Sequence, residues 1–172
     1  MYIDMHVHTI RTASVTRANG ETYATPEQLI EMMDRAGIDR AVLLPEVSPE
    51  CGHHFGSPEE MLAIAQEFPR FIPFCNVDPR IDTNGPDADL KRIIAYYLDK
   101  GCKGLGEITA NLSIRDPRVY NLFGACQELG IPVIFHIGPR MGGYYGLVDE
   151  PGLPGLEAAL KSFPDLLFLG HS

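Results

Sequence analysis

Ile3-Asp4-Met5-His6-Val7-His8 is the stretch of sequence that decides the fold of this chain. Side chains on a strand alternate between its two faces, so Asp4, His6 and His8 share one face and the apolar residues share the other. Two imidazoles that point the same way from an extended chain can bind one cation, and neutral imidazole suits zinc, iron or nickel. The stretch therefore predicts a first strand whose end carries a metal site.

Strand-length apolar runs recur along the rest of the chain and alternate with helical patterns. The runs occupy residues 2–7, 40–44, 71–77, 104–108, 132–137 and 166–170. Between them, Thr25, Ser57 and Asp116 each precede a proline, as N-cap residues do at the start of a helix. The runs are apolar on both faces, which is typical of parallel strands covered by helices. We therefore predict an α/β fold with about six strands and five helices.

Three of the other predicted strands end in a side chain that could bind a metal. Glu107 lies at the end of the fourth run, His136 at the end of the fifth and His171 directly after the sixth. Because the carboxyl ends of parallel strands meet at one rim, we expect these side chains to join His6 and His8 there. Glu107 could be a direct ligand, a bridge between two metals or a hydrogen-bonding partner of a ligand.

The histidine pattern resembles that of the amidohydrolase superfamily. Its amidohydrolase-2 branch is the most similar, because residues 103–108 read Lys-Gly-Leu-Gly-Glu-Ile and residues 170–172 read Gly-His-Ser. The resemblance covers the whole chain and implies a (β/α)8 TIM barrel with a divalent metal, usually Zn²⁺, as one or two ions. A closed barrel needs eight strands and typically about 250 residues. We therefore expect residues 1–172 to form a single barrel domain that is incomplete, with its C-terminal βα units missing.

The same resemblance implies roles for the candidate residues. It makes His6, His8 and His136 metal ligands, and it assigns His171 to a second metal, to the substrate or to the attacking water. It also implies an Asp at the end of strand eight as ligand and general base, beyond the six strands predicted for this chain.

The activity implied is that of a metal-dependent hydrolase. Such an enzyme attacks a small-molecule amide, lactone or ester with a metal-activated water, and His171 and Glu107 would take the catalytic roles. One alternative keeps the metal but acts as a non-oxidative decarboxylase or hydratase of a carboxylic acid. A second alternative is an inactive barrel fragment.

Three further residues are candidates for substrate binding. Arg140 lies in the glycine-rich segment 138–146 after the fifth strand and could pair with a substrate carboxylate. His53 lies in the loop after the second strand. Asn76 ends the third strand, where an Asn ahead of Pro79 is also typical of a turn.

Composition narrows the class of partner. The 172 residues carry a formal net charge of -9, which argues against nucleic acid or an anionic membrane as partner. No apolar run approaches the ~18 residues of a membrane span, and the N-terminus does not resemble a secretory signal. The 4 cysteines are widely spaced, which favours reduced thiols and a cytoplasmic protein. We expect a small-molecule substrate and, because an open barrel exposes strand edges, a possible homo-oligomer.

Overall fold

The computed structural model describes residues 1–12, 15–16, 19–51, 56–138, 140–142 and 145–172. Strands and helices alternate along this part of the chain. The strands are β1 (Ile3–Val7), β2 (Arg40–Leu43), β3 (Phe71–Pro73), β4 (Leu105–Ile108), β5 (Val133–Gly138), β6 (Leu147–Val148) and β7 (Phe168–His171). The α-helices are α1 (Pro26–Ala36), α2 (Pro58–Glu67), α3 (Leu90–Lys100), α4 (Pro117–Leu129) and α5 (Pro154–Ser162).

All the pairings among the named strands are parallel. β1, β2 and β3 form one sheet, and β5 pairs with β4, β6 and β7 in a second sheet. Backbone hydrogen bonds at Cys75 join the two sheets, because its N–H donates to the Gly104 carbonyl and its carbonyl accepts from the Gly106 N–H. The described strands thus form a barrel wall that does not close, since β1 and β7 do not pair with each other there.

The prediction of an incomplete α/β barrel is confirmed. The six predicted strands correspond to β1 to β5 and β7, and all five helices are present. The sequence analysis missed β6, which has two residues and lies beyond the end of β4, where Val148 also pairs with Ser113. A two-residue strand has no side-chain alternation from which it could be recognised. That residues 1–172 form a single domain stays a prediction.

Apolar side chains cover both faces of the strands. On one face Val42, Leu44, Phe74 and Ile134 pack together. On the other face a larger cluster, which includes Phe123 of α4, fills the space between strands and helices. This two-sided burial is the pattern of parallel strands covered by helices.

The first helix shows why the predicted boundaries hold. The Thr25 hydroxyl accepts from the Gln28 N–H, and the Gln28 side chain accepts from the Thr25 N–H, which completes a capping box. Gly37 ends α1 with a φ of 69°, in the left-handed region that favours glycine. The chain then returns directly into β2 beside β1.

The longest described helix has 13 residues, and none in that part of the chain is long and apolar enough to cross a bilayer. All four cysteines lie among the described residues, buried and with free thiols.

Candidate metal centre

The strand ends bring the five predicted metal-binding side chains to one place. His6 is in β1, Glu107 in β4, His136 in β5 and His171 in β7, while His8 directly follows β1. The Glu107 side chain is 2% exposed, and those of His8 and His136 are 13% and 16% exposed. His6 and His171 are about one-third exposed, at 34% and 31%, so they form the solvent side of the cluster.

The Glu107 carboxylate lies at the centre of the four imidazoles. Its Oε2 is 3.2 Å from His6 Nε2 and 3.0 Å from His8 Nε2. Its Oε1 is 3.2 Å from His136 Nδ1 and 2.8 Å from His171 Nε2. His6 Nε2 and His8 Nε2 are themselves 2.8 Å apart. Each carboxylate oxygen therefore faces two histidines.

Several of these atoms are buried without a hydrogen bond. Glu107 Oε1, His136 Nδ1 and His171 Nε2 are fully buried atoms for which the described part of the chain supplies no hydrogen-bond partner of suitable direction. Buried polar atoms normally have such partners, and orphans need an explanation. His6, Glu107 and His171 also offer three ligand atoms within 4.8 Å of one another. The donor set fits a divalent cation, since imidazole and carboxylate are ordinary zinc ligands.

Contacts behind His8 fix which of its nitrogens faces the cluster. His8 Nδ1 lies 2.9 Å from the Leu44 carbonyl, which can only accept, so we assign the proton to Nδ1. The Nε2 lone pair is then directed towards His6 and Glu107. A second buried carboxylate, that of Glu46, lies 3.9 Å from His8 Nδ1. Such support of a ligand histidine is typical of metal sites.

The electrostatics keep Glu107 ionised and His171 neutral. Burial alone would raise the pKa of Glu107, but the His136, His6 and His8 rings around the carboxylate hold it well below its usual range. Burial lowers the pKa of His171, so its ring is neutral at pH 7. Burial also opposes protonation of His8, yet Glu107 and Glu46 raise the pKa of that ring above its ordinary value.

Two neighbouring residues position Glu107. Gly106 has a φ of 143°, and a side chain there would collide with the backbone of Ile134 in β5, so glycine allows the close approach of the two strands. Asn76 is buried, and its amide donates to the carbonyls of Glu107 and Pro45 at 2.5 and 2.9 Å. This arrangement favours a structural role for Asn76 over the substrate contact predicted from sequence.

Of the other two predicted substrate contacts, Arg140 is exposed in a loop and His53 falls outside the described residues. Arg140 is exposed, and its backbone carbonyl accepts from the Asn111 amide at 3.1 Å. Asn111 also donates to Gly146 O and accepts from Gly142 N–H, so it holds this loop against the segment after β4. His53 lies outside the residues that the structure describes.

Two aromatic side chains that are not among the predicted site residues lie beside the cluster. The Tyr145 ring lies 4.5 Å from the His136 ring, and the Tyr23 ring lies 5.4 Å from the His8 ring, both measured between centroids. Both tyrosines come from loops, where no periodicity reveals which side chain returns to the strand ends. Tyr144-Tyr145 after a strand-end histidine was the one available signal for Tyr145.

Parallel strands with helices on their outer face and histidines at their carboxyl ends define an α/β barrel protein with a candidate metal centre. The amidohydrolase family model matches residues 3–170, and the chain therefore belongs to the amidohydrolase family. Among curated proteins, none matches the sequence significantly.

Solved structures with the same fold include three proteins from different organisms. An uncharacterized TIM-barrel protein from Bordetella bronchiseptica is 21% identical with a TM-score of 0.64, over 97% of this chain and 65% of its own. A probable 2-pyrone-4,6-dicarboxylic acid hydrolase from Acinetobacter baumannii, with citric acid bound, is 19% identical with a TM-score of 0.52, over 78% of this chain and 49% of its own. Dihydroorotase from Saccharomyces cerevisiae, in complex with 5-fluoroorotic acid, is 16% identical with a TM-score of 0.56, over 100% of this chain and 48% of its own. This chain therefore spans about half to two thirds of the length of these proteins.

Proposed function

We propose that this chain carries the metal-binding part of a metal-dependent hydrolase that opens an amide, lactone or ester bond of a small molecule. The observation that carries the proposal is the ring of four imidazoles around the buried Glu107 carboxylate. Membership of the amidohydrolase family supports it. So do the printed descriptions of two proteins of the same fold, a probable pyrone dicarboxylate hydrolase and a dihydroorotase.

His6, His8, His136, His171 and Glu107 are the residues that would hold the metal. A divalent cation there, with Zn²⁺ as the simplest choice, would supply a water with a pKa of ~7 and a Lewis acid for the carbonyl oxygen. Glu107 stays ionised, and each of its oxygens faces two imidazoles. The Nε2 of the neutral His171 ring can bind a cation or accept a proton.

The exposure of the ligand set indicates the side from which a substrate arrives. His6 and His171 are the two more exposed rings, whereas His8 and His136 lie deeper, beside Tyr23 and Tyr145. A substrate carbonyl would therefore approach between His6 and His171. The tyrosine rings would exclude water from the deeper part of the site and strengthen its electrostatic interactions.

Metal binding by the full chain is the first test. Protein stripped with a chelator is titrated with Zn²⁺ by calorimetry, and its thermal unfolding is recorded with and without metal. We expect tight binding and, at a free Zn²⁺ of 100 times Kd, a stabilisation of about 2.7 kcal/mol. The double variant His6→Ala/His8→Ala should bind more weakly, while Glu128→Gln, an exposed carboxylate on α4, should match the wild type. Less than about 0.2 metal per chain in the wild type would refute the proposal.

Product analysis tests the reaction. The metal-loaded chain is incubated with chromogenic esters, lactones and anilides, and with aromatic and dicarboxylic acids. Hydrolysis predicts a new carboxylate and no carbon dioxide. Release of carbon dioxide from the acids, with no cleavage of the esters, lactones or anilides, would replace hydrolysis by decarboxylation.

A further inference from the structure

We propose that Asn111 is a positioning residue of the metal centre, which holds the loop after β5 so that this loop fixes the orientation of the His136 ring. Because His136 is a metal ligand only under the proposed function, this role of Asn111 rests on that function. The loop residues that carry the proposal are 140–142 and 145–146, all of which the structure describes.

Asn111 is a buried amide at the rim of the sheet. It lies in the segment that follows β4, and only 9% of the residue is exposed. Its Nδ2 donates to Arg140 O at 3.1 Å and to Gly146 O at 3.2 Å, and its Oδ1 accepts from the Gly142 N–H at 2.6 Å. One side chain therefore binds the loop at three points.

The direction of these three bonds explains why an amide stands at position 111. Two of the loop groups are carbonyls, which can only accept, and the third is an N–H, which can only donate. A carboxylate of the same shape would place an acceptor against the two carbonyls and lose both donated bonds. Asparagine therefore suits this position, and aspartate does not.

The main chain of Asn111 is itself anchored to the rim. Its N–H donates to Glu50 Oε1 at 3.1 Å, and the Glu50 carboxylate also accepts two bonds from Arg80, each at 2.8 Å. Two residues before Asn111, the Thr109 carbonyl accepts from the Gly146 N–H at 2.6 Å. Because its backbone is held in place, the Asn111 side chain can hold the loop in one position.

The loop that Asn111 holds packs directly against His136. A Cβ added to Gly146 would lie 2.6 Å from His136 Cδ2, so the loop backbone touches the ring there. A Cβ added to Gly138 would lie 2.6 Å from the Tyr145 carbonyl, so the loop also lies close against β5. The Tyr145 ring lies 4.5 Å from the His136 ring, measured between centroids. Both the backbone and a side chain of the loop therefore contact this imidazole.

These contacts determine where His136 Nδ1 points. The χ2 torsion of a histidine has a broad energy minimum, so neighbouring atoms decide the orientation of the ring. Cδ2 and Nδ1 lie on opposite sides of the Cβ–Cγ bond, and His136 Nδ1 lies 3.2 Å from Glu107 Oε1. Gly146 against Cδ2 therefore opposes the rotation that would move Nδ1 away from the carboxylate. For His8 the Leu44 carbonyl performs the same task through a hydrogen bond.

Limited proteolysis measures whether Asn111 holds the loop. Trypsin cleaves after Arg140, which is exposed together with Met141, but the Arg140 carbonyl must first leave the Asn111 amide. We expect Asn111→Asp to raise the rate of cleavage at this bond, followed by mass spectrometry, by about tenfold or more. Asn121→Asp is the matched control, because Asn121 donates to Ala88 O and should be cleaved there at the wild-type rate. An unchanged rate in Asn111→Asp would overturn the proposal.

Metal binding measures whether the loop positions His136. Loss of the groups that orient a ligand typically lowers metal affinity by about 10–100-fold, and we expect this loss of Zn²⁺ affinity in Asn111→Asp by calorimetry. Asn111→Ala loses the same bonds without a new charge and should show the same effect. In both variants the visible spectrum at saturating Co²⁺ should shift, because it reports ligand geometry. Lower stability alone leaves that spectrum unchanged, since the saturated protein is folded.

The outcomes separate this proposal from the proposed function. If the wild type binds Zn²⁺ and both Asn111 variants keep its affinity and its Co²⁺ spectrum, the loop does not position His136. That result would overturn the proposal and leave the proposed function standing. If the folded wild type binds no Zn²⁺, the proposed function fails and the role of Asn111 fails with it.

Hydrogen exchange in the wild type needs no substitution at all. Gly142 is exposed, yet its N–H donates to Asn111 Oδ1, so its exchange with deuterium should be slowed by about tenfold or more relative to an unstructured glycine. Exchange at the unstructured rate, measured by nuclear magnetic resonance, would show that Asn111 does not hold the loop and would overturn the proposal.

Discussion

Replacing Asn76 with alanine removes the side chain that joins the end of β2 to the backbone of Glu107. The Asn76 amide donates to Pro45 O and to Glu107 O, and the residue is 4% exposed. Alanine leaves both carbonyls without these donors. Each buried group that loses its partner costs about 1–3 kcal/mol. For two carbonyls we therefore expect a loss of about 2–6 kcal/mol in the free energy of unfolding, a large part of the ~5–15 kcal/mol that stabilises a typical domain.

The assay is urea unfolding followed by far-UV circular dichroism, because the chain has no tryptophan. Asn121→Ala is the matched control, since Asn121 is only part-buried and its amide donates to one carbonyl, that of Ala88, at 2.9 Å. Its loss should cost about 0.5–1.5 kcal/mol, the net value of an ordinary hydrogen bond. Comparing midpoints at equal slope isolates the change in stability.

A second measurement separates this role from substrate binding. If Asn76 positions Glu107, the Asn76→Ala variant should also bind Zn²⁺ more weakly, because the ligand-bearing backbone loses its anchor. If Asn76 instead contacts substrate, stability and zinc affinity should stay unchanged while KM rises. A change below about 0.5 kcal/mol, with zinc affinity intact, would refute the structural role that the two hydrogen bonds indicate.

Two other substitutions test the fold around the site. In Gly104→Ala the added Cβ would overlap the buried Phe74 ring, and we expect a loss of about 1–3 kcal/mol, measured by urea unfolding; an unchanged midpoint would contradict the packing. Arg80→Met tests acid sensitivity: burial raises the pKa of Asp78 and Glu50, but their hydrogen bonds from Arg80 outweigh this and lower both. A carboxyl group whose pKa is lowered by folding stabilises the fold at pH values above its ordinary pKa of ~4. That contribution is lost as the pH falls through the lowered pKa. Arg80→Met should therefore be less stable at pH 7 and lose less stability between pH 6 and 3 than the wild type, and equal losses would contradict the network.

Local patterns predicted the parts of the fold and site that depend on local geometry. The spacing of His6 and His8 requires only an extended strand to place both rings on one face. Thr25 and Gln28 complete their capping box within four residues. Glu107, His136 and His171 were found because each stands at the end of an apolar run, and parallel strands bring such ends together.

Residues whose role depends on the path of a loop were beyond that reasoning. Glu46 reaches His8 only because its loop turns back beside the strand ends, where Glu46 pairs with Gly56. Tyr23 and Tyr145 meet their histidines in the same way. For Asn76 the apolar run predicted the position near the rim but not the direction of the side chain, whose amide donates to two backbone carbonyls.

The candidate site depends on the curvature of the sheet as well as on its ligands. The His6 and His171 rings lie 4.1 Å apart, although β1 and β7 are not paired with each other in the part of the chain described. Backbone pairing across that gap therefore does not hold the two rings together. Ile134 lies two residues before His136, and Leu169 lies two residues before His171, so each shares a strand face with its histidine. Both apolar residues pack in the cluster on that side of the sheet. Because this cluster packs on the strand faces that carry the imidazoles, we expect loss of packing there to separate the rings with every ligand residue still in place.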